Sequence, residues 1–358
     1  MTSRPAPLWL YAPLWGVRFD SDAVGLVGGA VLASVPYPDE WRSVQKSAIA
    51  DERRRVDGGR SELESIPFCL TASAERDEDE PIHEGVQRIG GELLAQLRRS
   101  VLALRLAQPG WFLDPEFAEI VFAIDDAGWR LLRRPGPYRQ AFLAPGTKFP
   151  LPGYELAIAD LTSSRDEPGP VQRWWEALDR ACVTAGCAPL EIALDNFSRS
   201  FGLVSPSGDR LAHLFIALEA LLGGFDGRAP GGVTLGGSSG KLYGRLKNAL
   251  VTSGLEPIAA GREAAWLCGA DPGEGRWLRN RVAHGEVVTD GMATIAVQLR
   301  AQDAVRRLLR SCVQFFDDWH KDGAALAASL GLAPGTTPIG AFNRSLTNSP
   351  PQVPQNVL

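Results

Sequence analysis

The sequence DRLAHLFIALEALLGG, Asp209–Gly224, carries the pattern on which the fold prediction rests. Its apolar residues recur at helical spacing and so share one face of an α-helix: Leu211, Leu214, Phe215, Leu218, Leu221 and Leu222. Asp209 is a suitable N-cap residue, and Gly223 is a suitable stop. The stretch therefore predicts an amphipathic helix from Asp209 to Leu222.

Further helical patterns lie on both sides of this stretch. The other predicted helices are Val171–Cys182 and Leu190–Phe201 upstream, and Leu242–Ser253, a stretch near Ala264 and a long helix from after Asp290 to about Trp319 downstream. A Gly-rich loop at 223–240 separates the two groups. Residues 166–330 therefore predict an all-α helical bundle.

The first 165 residues alternate short apolar runs with turn residues, which is typical of β-strands. The predicted strands are Leu8–Phe19, Val24–Val35, Pro67–Ala72, Glu119–Ile124 and Trp129–Leu132, with one amphipathic helix at Gly85–Leu106 between them. Residues 1–165 thus predict an α+β domain of unknown function, and the Pro-rich stretch Ser163–Pro170 predicts the junction. Residues 331–358 are rich in Pro, Thr, Ser and Asn and predict a disordered tail.

Composition excludes several classes of protein. The net charge of −5 over 358 residues argues against a uniformly basic nucleic-acid coat protein. The five cysteines form no C-x-x-C pair and indicate a reducing cytoplasm. Proline and charged residues interrupt the apolar stretches near the N-terminus, so we expect a cytoplasmic protein with no signal peptide and no membrane span.

Several familiar motifs are missing or incomplete. The loop sequence LGGSSGKL, Leu235–Leu242, superficially resembles a phosphate-binding P-loop, but it lacks the first glycine and the Ser or Thr after Lys241. The sequence also contains no H-E-x-x-H zinc motif and no G-x-S-x-G nucleophile elbow. The Gly-rich loop is therefore interpreted as a connector, and any chemistry must lie elsewhere.

The segment WLRNRVAHGE, Trp277–Glu286, concentrates four polar side chains: Arg279, Asn280, Arg281 and His284. A histidine that titrates near neutral pH can move protons, and a guanidinium can grip a phosphate through paired hydrogen bonds. On an unbroken helix, Arg279 and His284 would point about 140° apart. They converge more easily if the helix ends at His284 before Gly285, or if two chains bring two copies of the segment together.

This order of residues, R-N-x-x-x-H followed by glycine, resembles the R-x(4 to 6)-H signature of the HEPN superfamily. Together with the LAHLFIALEALLGG helix upstream and a long helix downstream, it is similar to the Apea-like HEPN domains of bacterial defence proteins. The resemblance covers roughly residues 170 to 325 in element order. It implies a helical bundle that dimerises with both motifs lining one cleft.

In active members, the resemblance implies metal-independent RNA cleavage that leaves a 2′,3′-cyclic phosphate and needs no cofactor. Arg279, Asn280 and His284 are then the expected catalytic residues, with His284 as general base or acid. Arg281 is expected to add a phosphate contact and Glu219 to hold Arg279, although Glu219 also fits an ordinary helix-surface carboxylate. RNA, a second copy of the chain, and an antitoxin or defence partner are the implied partners.

The local charge supports a polyanionic ligand. Between Lys241 and Arg310, eleven basic and seven acidic side chains give +4, so the rest of the chain is strongly acidic. The leading hypothesis is an endoribonuclease of antiviral defence, abortive infection or toxin type. Two alternatives stay open: a non-catalytic HEPN module that binds RNA or nucleotide or scaffolds a defence complex, and an interaction protein in which Arg279 and His284 only bridge helices.

Overall fold

The computed structural model describes residues 8–14, 17–18, 25–27, 30–33, 68–74, 80–108, 121–125, 129–131, 154–155, 169–201, 207–222, 239–268, 281, 288 and 292–347. The chain divides into two compact units, Met1–Trp175 and Glu176–Leu358. This division falls inside the helix Pro170–Cys182, slightly C-terminal to the junction predicted at Ser163–Pro170.

The strands described in the first unit are β1 (Leu8–Leu14), β2 (Val17–Arg18), β3 (Gly25–Val27), β4 (Ala30–Ala33), β5 (Phe68–Ala74), β6 (Val121–Asp125), β7 (Trp129–Leu131) and β8 (Tyr154–Glu155). Six of them form an antiparallel sheet in the order β3-β4-β5-β1-β6-β7. β1 lies between β5 and β6, so that Leu8 pairs with Ala74 on one side and Ile124 on the other. β2 and β8 form a separate parallel pair.

One long helix, α1 (Ile82–Ala107), accompanies this sheet and packs against β1, β4 and β5. Its buried face includes Leu97, Val101 and Leu104, which recur at helical spacing. The sheet and the helix are described, but most of residues 1–165 lie outside the described ranges. The assignment of the whole region to the α+β class therefore stays a prediction.

The second unit is built from helices. They are α2 (Pro170–Cys182), which crosses the division, α3 (Ala188–Arg199), α4 (Ser207–Leu222), α5 (Ser239–Thr252), α6 (Pro257–Cys268), α7 (Ile295–Ser329) and α8 (Pro338–Thr347). The part of this unit that the structure describes contains no strand, which confirms the prediction of an all-α region. None of the described helices is both long enough and apolar enough to cross a membrane.

Helix α7 lies at the centre of the second unit, where α3, α4, α5 and α8 pack against it. Its buried apolar face includes Val305, Leu309 and Phe316. The helix continues past the predicted end near Trp319, but its backbone leaves helical geometry at Asp322. The Asp322 carboxylate accepts a hydrogen bond from the backbone N–H of Ala325 and so caps the segment that follows.

Buried polar groups on α7 are paired with the neighbouring helices. The carboxylate of Asp317 is almost completely buried and lies 2.6 Å from the Arg180 guanidinium of α2 and 2.7 Å from the Lys321 ammonium. The Gln302 side chain donates to the carbonyl oxygen of Ser200 at the end of α3. These contacts fix the position of α2 and α3 along α7.

The prediction of a disordered tail from residue 331 on is wrong for residues 331–347. Gly331 and Gly335 adopt positive φ angles of 62° and 80°, which allow the chain to turn back after α7. α8 then packs against α5 and α7, and its buried residues include Phe342 and Leu346. Composition misled the prediction because the polar, Pro-rich average of the tail hides this short apolar face.

Replacing Phe342 tests whether the tail belongs to the core. The Phe342 ring is 2% exposed and lies edge to face with Phe315 at a centroid distance of 5.3 Å. Phe342→Ala should lower the free energy of unfolding by about 3 to 5 kcal/mol, because it leaves a cavity in a packed site. Urea denaturation measures the change.

The matched control is Ile258→Ala, at a residue of α6 that is 66% exposed. That substitution should change the free energy of unfolding by less than about 0.5 kcal/mol. Equal effects of the two substitutions would show that α8 does not pack on the core.

Candidate functional site

The predicted site residues fall into two groups. Arg279, Asn280 and His284 lie outside the described residues, so their assigned roles stay predictions. Arg281 and Glu219 are described, and both are partly buried. The structure also describes the helices that bracket the motif, namely α6 before it and α7 after it.

The end of α6 and the beginning of α7 are held together by Arg300. Its guanidinium donates to both carboxylate oxygens of Glu263 at 2.8 to 3.1 Å, and it lies 4.3 Å from the centroid of the Trp266 ring. A paired ionic hydrogen bond with a cation–π contact is a specific arrangement that lysine would not reproduce. Residues 269–294, which carry the motif, therefore leave and rejoin the bundle at neighbouring points.

The N-terminus of α7 is also fixed to α4. The Thr294 side chain caps the helix by accepting from the N–H of Val297, and the Gln298 side chain donates to the Ala293 carbonyl oxygen at 2.6 Å. Arg210 of α4 donates to the same Gln298 side chain at 3.2 Å. The point where the motif segment rejoins the bundle is thereby linked to the first turn of α4.

Gly208 provides a second link between α4 and the motif segment. A Cβ atom placed on Gly208 would lie 3.2 Å from the Val288 Cβ atom and 3.3 Å from the Val288 carbonyl oxygen. Both distances are shorter than ordinary van der Waals contacts, so glycine allows the close approach. Val288 is the fourth residue after His284 in the sequence. Gly208 was not among the residues predicted from the sequence.

Arg281 is the described member of the predicted motif. It has helical conformation, and its Nη1 atom lies 3.8 Å from the sulfur of Met292. A thioether is a weak hydrogen-bond acceptor, so this contact contributes only weakly to the orientation of the guanidinium. The expected contact between Arg281 and a phosphate stays a prediction.

Glu219 lies in the last turns of α4. Its predicted partner, Arg279, is outside the described residues, so the pairing that would orient Arg279 also stays a prediction. The alternative, that Glu219 is an ordinary helix-surface carboxylate, also stays open.

His213, on α4, makes a defined contact with α3. Its Nδ1 atom lies 2.9 Å from the side-chain oxygen of Asn196, and since that oxygen can only accept, the Nδ1–H tautomer donates. Burial lowers the pKa of His213 below its usual 6.5, and the positive charge of Arg199 lowers it further. The imidazole is therefore neutral at pH 7 and joins the two helices.

A second group of charged residues lies on α7. The Asp303 carboxylate accepts from Arg306 at 2.5 and 3.1 Å and from Arg307 at 2.9 Å, and Arg310 follows one turn later. The sequence shows an excess of positive charge between Lys241 and Arg310 but not the helix face on which Asp303, Arg307 and Arg310 lie. That these three residues share one helix face could have been predicted from their spacing in the sequence, i, i+4 and i+7.

Within the described residues, no group of three or more His, Cys, Asp or Glu side chains is placed to hold a metal ion. Comparison of the chain with protein-family models, curated proteins and solved structures found no match. The function is therefore inferred from this chain's own residues.

The pKa of His213 makes the stability of the fold depend on pH. Because the folded pKa is below the unfolded value, the unfolded chain binds the extra proton first, and stability is lost as the pH falls below about 6.5. His213→Gln should reduce this loss by at most about 1.4 kcal/mol per pH unit, the limit for one proton. Urea denaturation at pH 7.5 and 5.5 provides the measurement.

His320→Gln serves as the control, because His320 is exposed near the kink of α7. Because the side chain is exposed, this substitution should change the free energy of unfolding at pH 7.5 by less than about 0.5 kcal/mol. If His213→Gln and the wild type lose stability equally between the two pH values, the assigned role of His213 is refuted.

Proposed function

We propose that the chain is a metal-independent endoribonuclease with a HEPN-like helical domain. The observation that carries the proposal is the sequence R-N-x-x-x-H, in which Arg279, Asn280 and His284 fall within six residues. The helical unit supports it, because the segment that bears the motif is held at both ends by α6 and α7. Anchored connections between rigid helices are common places for catalytic residues.

Each motif residue has a role in the proposed reaction. His284 removes the proton from a ribose 2′-hydroxyl, whose oxygen attacks the adjacent phosphorus. The bond from phosphorus to the 5′-oxygen breaks, and this oxygen takes a proton from His284 or from water. Arg279 binds the phosphate and stabilises the charge that develops on its oxygens. Asn280 orients His284 or the phosphate, while Arg281 and Glu219 support the site. The products carry a 2′,3′-cyclic phosphate and a free 5′-hydroxyl.

The proposal includes a homodimer formed through the helical domain. Arg279 and His284 diverge on a continuous helix, whereas two copies of the motif can complete one cleft. An exposed apolar surface supports this: Ile192 of α3 is 51% exposed and Ile216 of α4 is 47% exposed. Each lies about one turn from the contact between Asn196 and His213, so the two isoleucines are on the same side of the α3–α4 pair.

The proposal also covers the role of the N-terminal region and the cellular role of the protein. A nuclease that cleaves cellular RNA needs restraint, so we assign the predicted α+β region to sensing a trigger, restraining the nuclease or binding a partner. Action in the cytoplasm, in antiviral defence or as a toxin with an antitoxin partner, follows from the resemblance of the motif to HEPN defence proteins.

Cleavage of RNA in the presence of EDTA tests the proposed activity. Purified wild-type protein should cleave total RNA despite chelation, and His284→Ala and Arg279→Ala should each reduce the rate at least about a hundredfold, as expected for loss of acid–base or charge stabilisation. A 2′,3′-cyclic phosphate end confirms the chemistry.

The control is His213→Ala, which alters a histidine of the same domain outside the motif. It should retain cleavage under conditions where the protein is folded. Equal activity in the wild type and both motif variants would refute the assigned site, and RNA binding without cleavage would favour the non-catalytic alternative.

The close approach of Gly208 and Val288 gives an independent test of the site. Gly208→Val should displace Val288 and with it the segment that follows His284, so cleavage should fall about tenfold or more. Gly244→Val is the matched control, since no atom lies within 4 Å of a Cβ at Gly244 on α5. Both variants introduce a β-branched residue into a helix, so a difference in cleavage at equal helix content isolates the contact with Val288.

A further inference from the structure

Two cysteines stand at the corner where α2 meets α3. Cys182 is the last residue of α2, and Cys187 is the N-cap residue of α3. Neither belongs to a disulfide, and Cys182 is partly exposed whereas Cys187 is buried. An accessible cysteine beside a second one is the arrangement in which the first thiol meets an oxidant and the second completes the reaction.

The backbone of this corner brings the Cys187 sulfur to Cys182. Two overlapping turns reverse the chain, because the N–H of Thr184 donates to the Ala181 carbonyl oxygen at 3.1 Å and the N–H of Cys187 donates to the Thr184 carbonyl oxygen at 3.2 Å. Gly186 allows the second turn through its positive φ of 83°. The Cys187 Sγ atom lies 3.0 Å from the Cys182 carbonyl oxygen and hence within about 6 Å of the Cys182 Cα atom. Rotation of the two side chains can therefore bring the sulfur atoms together.

The corner is held in place by α7 and α8. The Thr184 hydroxyl lies 3.5 Å from the Phe316 carbonyl oxygen of α7 and 3.3 Å from the carbonyl oxygen of Arg180. A Cβ atom placed on Gly186 would lie 3.8 Å from the Pro338 Cδ atom at the start of α8. The folded unit thus keeps the two cysteines close to one another, which makes a reaction between them intramolecular and fast.

Glu191 tunes the reactivity of Cys187. Its Oε1 atom lies 3.4 Å from the Cys187 Sγ atom, one turn into α3. Burial raises the pKa of the Cys187 thiol, and the hydrogen bond to Glu191 and its negative charge raise it further, to about 11. Because the thiolate is the attacking form of a cysteine, Cys187 reacts slowly with an oxidant in solution. It is suited to the second step, in which proximity to Cys182 offsets its small thiolate fraction.

We propose that Cys182 and Cys187 form a reversible redox site that is oxidised to a disulfide by a hydroperoxide. The Cys182 thiolate attacks one peroxide oxygen, the O–O bond breaks, and the other oxygen leaves and takes a proton while Cys182 becomes a sulfenic acid. The Cys187 sulfur then attacks the Cys182 sulfur, loses its proton and expels the hydroxyl as water. Two electrons pass from the thiols to the peroxide, and a reducing thiol reopens the disulfide by exchange. The site uses no residue of the R-N-x-x-x-H motif and is independent of the proposed nuclease function.

Peptide mapping of the full chain after a pulse of hydrogen peroxide, ended with catalase, tests the proposal. The remaining thiols are alkylated in urea, and trypsin then releases both cysteines on one peptide, residues 181–199. This peptide should carry no alkyl group and should be lighter than the reduced peptide by two hydrogen atoms. Dithiothreitol before alkylation should restore two alkylated cysteines. The peptide of residues 311–321 is the internal control, because Cys312 is fully buried and should stay a thiol.

Replacement of Glu191 tests the second step alone. Dimedone added at timed intervals traps the Cys182 sulfenic acid, so its decay measures the attack by Cys187. Glu191→Gln removes the charge that raises the pKa of Cys187, and each unit by which this pKa falls should speed the decay about threefold, because the gain in thiolate outweighs the loss in nucleophilicity. Asp195→Asn is the matched control, since it removes a carboxylate of the same helix that pairs with Arg199 instead, and it should leave the decay unchanged.

The cysteine variants complete the test. In Cys187→Ser, the Cys182 sulfenic acid should last at least about ten times longer than in the wild type, because the intramolecular step is lost. Serine is a good N-cap residue, so this variant keeps the start of α3, and circular dichroism confirms that the helices are intact. Equal lifetimes in Cys187→Ser and the wild type would overturn the proposal. So would a disulfide from Cys182 to a cysteine outside residues 181–199, or a wild-type peptide in which both cysteines are still alkylated after the peroxide pulse.

Discussion

The burial of helix α7 is the constraint on which the second unit depends. Four helices, α3, α4, α5 and α8, pack around it, so every polar group on its inner faces needs a partner within the bundle. Asp317 meets this requirement through Arg180 and Lys321, and Gln302 through the carbonyl of Ser200. Such contacts are directional, whereas apolar packing alone would allow neighbouring helices to slide, so they set the register of the bundle.

The N-terminal end of the same helix determines where the motif segment lies. Arg300 joins α7 to α6 through Glu263 and Trp266, and Gln298 joins it to α4 through Arg210. A substitution that loosens the core around α7 would therefore also move the points that hold residues 269–294. Under the proposed function, stability and activity are therefore coupled, and each proposed variant needs a measurement of folding beside the measurement of function.

The helices of the second unit could be predicted because their apolar residues recur at helical spacing, as in Leu211, Leu214 and Leu218 of α4. The same argument failed for α8, since Phe342 and Leu346 stand in a stretch whose average composition is polar. Helical spacing could not predict the role of Gly208 either, because nothing in the sequence distinguishes a glycine that permits a close approach to Val288 from any other glycine. Motif residues can be chosen from their chemistry, but contacts between segments distant in sequence depend on the packing of the whole unit.

Charge shows most directly that the sequence gives the chemistry of residues but not the contacts between them. A net charge of −5 describes the chain, and an excess of four positive charges describes Lys241 to Arg310, yet neither number identifies the face on which charges meet. The spacing of Asp303, Arg307 and Arg310 does so once α5 is known to cover that side of α7. The Asp303 carboxylate that accepts from both Arg306 and Arg307 is a property of one helix face, and no sum of charges over a segment predicts it.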